Sequence, residues 1–216
     1  MKLGRISRLG EEMGILDIDG GFMRTLGKIV DIMLLGLLVF ITSIPIFTIG
    51  ASVTACFTLT MKMSQDKEGH ITKAYFKAFK QNFAKSTGLW AIVLIFFGII
   101  LADFWALTKV EISYVPVVQG GLWFLLFIVV FTINYIFSLQ AKYENTIIVT
   151  LKNAFFLSFI HIFKSLLIAL ITIVPIFMLY VIPKWYPFIV WLAIPTVCYF
   201  NSMILIGIYS KMDSEE

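Results

Sequence analysis

Two histidines and two cysteines are the whole stock of imidazole and thiol side chains in this 216-residue chain. There is no His-Glu-x-x-His, no phosphate-binding glycine loop and no pair of aspartates inside an apolar run. A Ser/His or Cys/His dyad has little to be built from. Cys56 and Cys198 each sit within an apolar stretch, which predicts neither a disulfide framework nor a thiolate metal site. The residues predict a protein that is not an enzyme, with no catalytic, cofactor-binding or metal-binding positions and no cofactor.

Three groups of residues remain that can bind or pack. The first is the run from Pro45 to Ala55, the densest in small side chains. Pro45 lacks an N–H and pushes Ile44 out of helix, so one helix ends there. Thr48 and Gly50 are placed to cap the helix that restarts. Gly50 with Thr54, and Ala51 with Ala55, have the spacing that lets helices approach closely in lipid, where dispersion must replace hydrophobic drive. A broken helix with hydroxyls can also line a substrate path, although close packing is the commoner use. The expectation is that Gly50, Ala51 and Thr54 face another helix of the chain, with Val93 and Ile128 facing lipid.

The second group lies between the second and third apolar stretches. On a helical wheel Ile71, Tyr75, Phe76, Phe79 and Phe83 share one side, and Lys73, Lys77 and Lys80 take the other. Such a helix lies in the membrane interface or docks on a protein; the same face serves either surface. The third group, Lys142, Glu144, Asn145, Lys152 and Asn153, falls in a second polar segment. The two segments, 66–86 and 142–165, share a design, ending in Lys85-Ser86 and Lys164-Ser165 before the next apolar run. Within the apolar runs, Asp31 is one turn from Lys28 and expected to pair with it. Asp103 is expected to reach water. Asn134 and Asn201 are expected to hydrogen-bond between helices, and His161 and Lys164 to snorkel at the inner edge.

The elements that carry these residues are membrane helices. The chain is 60% hydrophobic and 14% charged, with mean hydropathy +0.94, which excludes an ordinary soluble domain. Clear spans are expected at about 88–107, 121–139, 157–181 and 188–209. Before them, 27–43 and 51–63 form either two short crossings or a re-entrant hairpin. Read as one crossing, that stretch splits the lysines and arginines seven to ten. Read as a hairpin, it leaves fifteen on one side and only Lys109 and Lys184 on the other. Inner loops hold excess Lys and Arg, so the hairpin and cytoplasmic termini follow. Trp105, Tyr114, Trp123, Tyr180, Trp185 and Tyr186 make an outer aromatic belt. The predicted fold is all-α, a polytopic bundle of about six membrane segments. Residues 1–26 and 211–216 are cytoplasmic tails around one membrane domain, 27–210. Nucleic acid is excluded as a partner, because the basic residues follow membrane edges and no binding motif accompanies them.

The Pro45–Ala55 run, Thr60-Met61-Lys62 with Glu68-Gly69, and Phe76-Lys77-x-Phe79-Lys80-x-Asn82-Phe83 resemble the YesL family of small bacterial integral membrane proteins. Ala141-Lys142-Tyr143-Glu144-Asn145-Thr146 and Leu151-Lys152-Asn153-Ala154-Phe155-Phe156-Leu157 extend the resemblance over most of residues 20 to 210. Family members often have Arg-Phe at Lys142-Tyr143 and a Pro-Arg-like pair at Phe163-Lys164, so no bidentate guanidinium role carries over. The resemblance implies a multi-pass protein of the bacterial plasma membrane, accessory to carbohydrate uptake and partnered by ABC transporter membrane subunits. It supplies no catalytic or ligand residues. The alternative is a membrane-structuring or anionic-lipid-responsive protein without a transported substrate.

Overall fold

Residues 21–67, 69–109 and 114–214 are described by the computed structural model. Most of the N-terminal tail, Glu68, residues 110–113 and the last two residues lie outside them. The described residues form seven α-helices and no strand. These are α1 (Gly21–Thr42), α2 (Ile49–Met63), α3 (Ile71–Leu107), α4 (Val115–Lys142), α5 (Ile147–Ile160), α6 (Ile162–Val181) and α7 (Tyr186–Asp213). Two 3₁₀ turns, Ile46–Thr48 and Pro183–Trp185, lead into α2 and α7. Six segments are long and apolar enough to cross a membrane; α5, with 14 residues, is not among them. The chain is a polytopic helical membrane bundle.

Its surface and interior are sorted for lipid. On α1, Ile29, Val30, Met33, Leu37, Phe40 and Ile41 are exposed, as are Phe124 on α4 and Ile176 and Phe177 on α6. So continuous an apolar surface would aggregate in water. Inside, Ser52, Thr54, Thr60, Ser138, Thr150, Ser158 and Asn201 are buried. Most of their hydroxyls donate to a carbonyl three or four residues back or to a facing hydroxyl, as Thr54 Oγ1 does to the Gly50 carbonyl (2.8 Å). With no water in the hydrocarbon, each polar group must find such a partner inside the protein.

Helix α2 is the centre of the bundle. It packs against α1, α3, α4 and α7, and eleven of its fifteen residues are buried. Small side chains make this possible, because a helix surrounded by four others needs close backbone approach. Helix α1 breaks where Pro45 predicts: Ser43 still bonds back to Val39, Pro45 is extended, and a 3₁₀ turn feeds α2.

Two expectations about segments change. The lysine-bearing stretch 71–86 is not a separate interfacial helix: it continues into the apolar stretch as one helix of 37 residues. Nothing between Lys85 and Gly88 interrupts the backbone ladder, since a single Gly is tolerated inside a helix. At 1.5 Å per residue α3 is about 55 Å long against a hydrocarbon core of about 30 Å. Its lysine end runs alongside α2, where Gly50 lies beside Ser86 and the Tyr75 hydroxyl bonds to Thr42. The second segment behaves differently. Helices α5 and α6 separate at His161, whose backbone (φ −105, ψ 46) leaves the helical region. The span expected at 157–181 thus begins at Ile162, and the shared design of the two segments does not extend to their helices. Val93, expected to face lipid, is 7% exposed and belongs to the core. It lies on the buried stripe of α3 with Ser86, Leu89 and Ile100. Ile128 is half-buried.

Candidate functional site

The Pro45 break is held by a knot of hydroxyls. Thr42 Oγ1, at the end of α1, shares a hydrogen bond with the Tyr75 hydroxyl (2.6 Å) and accepts one from Ser52 Oγ (2.9 Å). Thr48 stands at the N-cap of α2, but its side chain does not cap that helix. Its hydroxyl instead turns back to donate to the Thr42 carbonyl, which α1 leaves without an intrahelical partner (2.5 Å). Trp90 Nε1 donates to the Ile46 carbonyl (2.8 Å), tying the 3₁₀ turn to α3.

Gly50 is buried beside Ser86 and Trp90 of α3 and Phe137 of α4. A Cβ there would lie 2.5 Å from the Ser86 carbonyl oxygen and 2.6 Å from Trp90 Cβ, closer than van der Waals contact allows. Ala51, Thr54 and Ala55 are fully buried. The sequence reading missed an equivalent contact at Gly36, where a Cβ would lie 2.8 Å from the Trp191 carbonyl oxygen of α7. Gly36 sits in an unbroken apolar run, and nothing local marks it as a contact.

The face expected to hold Tyr75, Phe76, Phe79 and Phe83 together is divided. Ile71, Tyr75 and Ala78 are buried among the core residues, and Tyr75 is fully so. Phe79 is half-buried, stacked on Tyr75 (6.2 Å) and tilted on Phe83 (5.5 Å). Phe76 (49% exposed) and Phe83 (36%) remain outside with the exposed Lys73, Lys77 and Lys80. Tyr75 is thus a core residue rather than part of an outward face, because α2 covers the middle of the apolar side of α3.

At the junction of α4 and α5 the second group also divides. Lys142 Nζ reaches Asp213 Oδ2 (2.6 Å) at the end of α7 and lies over the rings of Tyr143 (4.9 Å) and Tyr209 (5.2 Å). Tyr143 donates its hydroxyl proton to Asp213 Oδ1 (2.6 Å), so the end of α7 is clasped from two sides. Glu144 and Lys152 are exposed, and Asn145 and Asn153 half-buried. Across the bundle, Lys28 forms an ion pair with Asp66 (2.6 Å), a partner the spacing of Lys28 and Asp31 did not suggest. Asp31 lies in a cleft with His70 and Lys73.

Two further polar contacts cross the interior. Asn134 of α4, Thr172 of α6 and Asn201 of α7 hydrogen-bond at 3.3 Å. Cys56 on α2 and Cys198 on α7 are both free and buried, facing each other across the contact of these two helices. A groove of about 740 Å³, open to the surface, lies between α6 and α7 and is walled by side chains such as Ile171, Met178, Leu192 and Phe200. Among the described residues no cluster of three or more metal-binding side chains occurs.

A family model described as "Protein of unknown function, DUF624" matches residues 31–104, the stretch from α1 through α2 into α3. No curated protein and no solved structure matches the chain.

Proposed function

We propose that this chain is a non-catalytic, accessory subunit of a bacterial solute-uptake system, of the YesL-like group, residing in the plasma membrane with both termini in the cytoplasm. The sidedness of fifteen lysines and arginines supports that orientation. The resemblance over residues 20 to 210 supports the assignment to carbohydrate uptake beside ABC transporter membrane subunits.

One observation carries the reading: the exposed flank of α3. The lysine end of this helix is continuous with the apolar stretch that follows it and lies along α2. It is held rigid by α2 along its buried stripe and displays Phe76 and Phe83 among Lys73, Lys77 and Lys80. Aromatic anchors rimmed by cations suit an acidic, partly apolar protein surface. A rigid helix also binds without paying for its own ordering.

The test is affinity purification of the tagged chain in mild detergent from its native membranes. The wild type is expected to bring down transporter membrane subunits. Lys73→Glu, Lys77→Glu and Lys80→Glu together should lose them while the chain keeps its folded yield. Recovery of the chain alone, with strong binding to anionic vesicles, favours instead a lipid-responsive protein and sinks the accessory role.

A further inference from the structure

Two buried polar atoms at one cavity have no hydrogen-bond partner: Ser43 Oγ at the end of α1 and Trp191 Nε1 in α7. Both residues line a cavity of about 330 Å³ whose other walls are Val39, Phe40, Ile44 and Ile194. Leaving a donor unpaired in an apolar setting is costly. An indole N–H can only donate, and a serine hydroxyl donates as readily as it accepts. An occupant that satisfies both must present acceptor oxygens. The remaining walls are aliphatic and phenyl, so the rest of that occupant must be hydrocarbon.

The position narrows the class further. Phe40 and Ile44 are 51% and 71% exposed, so the cavity borders the surface that meets lipid. Trp191 follows the belt residues Trp185 and Tyr186 by about 9 Å of helix rise or less. Belt aromatics sit at headgroup level, and the interfacial zone beneath them is roughly 5–7 Å thick on each side. The two unpaired groups therefore lie near the hydrocarbon boundary, where the glycerol esters of a phospholipid lie. Gly36 fixes the geometry: a Cβ there would lie 3.1 Å from Trp191 Nε1, so only glycine lets the indole rest against α1.

We infer that this cavity is a binding site for an ester-linked diacyl phospholipid. One ester carbonyl accepts from Trp191 Nε1–H and from the Ser43 hydroxyl, and the acyl chains leave between Phe40 and Ile44. The site is independent of the α3 flank and of any protein partner.

The test compares the full chain in nanodiscs of a diester phospholipid with nanodiscs of its diether analogue, which has the same headgroup and chains but no carbonyls. The chain carries ¹⁵N-labelled tryptophan, and Trp191→Phe identifies the Trp191 indole signal. That signal should lie downfield in the diester lipid and move upfield in the diether, a difference that Ser43→Ala diminishes. Diester lipid retained through detergent purification should fall about two- to tenfold in Trp191→Phe, the effect of losing one hydrogen bond. The same indole position in both lipids overturns the inference, as does an indole proton in contact with water in both. Either result would mean that water or protein fills the cavity. The wild-type comparison stands even if a variant folds poorly.

Discussion

Gly50 and Gly36 are the two positions where one added side chain has the most to disturb. At each, a Cβ would press on a backbone carbonyl of a facing helix, which cannot swing away as a flexible side chain can. Gly50→Leu and Gly36→Leu should each lower stability in detergent by roughly 1–3 kcal/mol, the cost of an overpacked core. Phe124→Leu, on the exposed face of α4, should change the melting temperature little. Equal melting temperatures for all three would remove α2 from the centre of the fold. Tyr75→Phe addresses the hydroxyl knot: it takes one partner from Thr42 and should cost about 0.5–1.5 kcal/mol. Partner capture should be unchanged in that variant, because Tyr75 is buried and the proposed docking flank is not.

The close packing at Gly50 could be read from spacing alone, since small residues four apart in a lipid-dissolved helix have one dominant use. The role of Tyr75 could not. A wheel shows which residues share a side, but not that a neighbouring helix covers only part of that side. Nor does local sequence pair Gly36 with Trp191, or Lys28 with Asp66, because each contact joins residues far apart in the chain.

At the scale of elements, the continuity of α3 is the feature that matters most for function. A broken or hinged helix would let the lysine segment lie flat on the membrane; a continuous one holds it upright against α2. Spin labels at Lys77 and Ile99, both exposed, should give a narrow distance distribution centred at about 33 Å. A short or broad distribution would mean a hinge near Ser86. The sequence suggested such a boundary because Lys85-Ser86-Thr87-Gly88 looks like the edge of a span, yet it holds no proline and no strong stop. The opposite happened at His161, where the helix breaks without proline or glycine to mark it. The packing of α2 on α7 can be checked with the native thiols. A membrane-permeant oxidant should join Cys56 to Cys198 within one chain, giving a faster-migrating band that Cys56→Ala abolishes. No such band in the wild type would separate these helices.

For the whole molecule, the six apolar segments and the lipid-sorted surface describe a membrane bundle, and the proposed orientation turns its lysine-rich face to the cytoplasm. Fold class could be reasoned from composition, because the bilayer imposes it strongly, while the orientation is proposed from the charge alone. The partner cannot be reasoned that way, since a basic aromatic flank fits anionic lipid as well as acidic protein. The orientation itself predicts that cysteines at Lys73 and Lys152, both exposed, react from the same side of the membrane in a background without native thiols. Reaction from opposite sides would invert one of the two segments. The proposed role depends on what touches the α3 flank, and photo-crosslinking in intact cells reads that directly. A photoreactive residue at Phe76 should yield a discrete adduct with a transporter membrane subunit, and one at Ile95, exposed on the apolar half of α3, should not. Lipid adducts alone at Phe76, or the same adducts from both positions, would contradict the docking role.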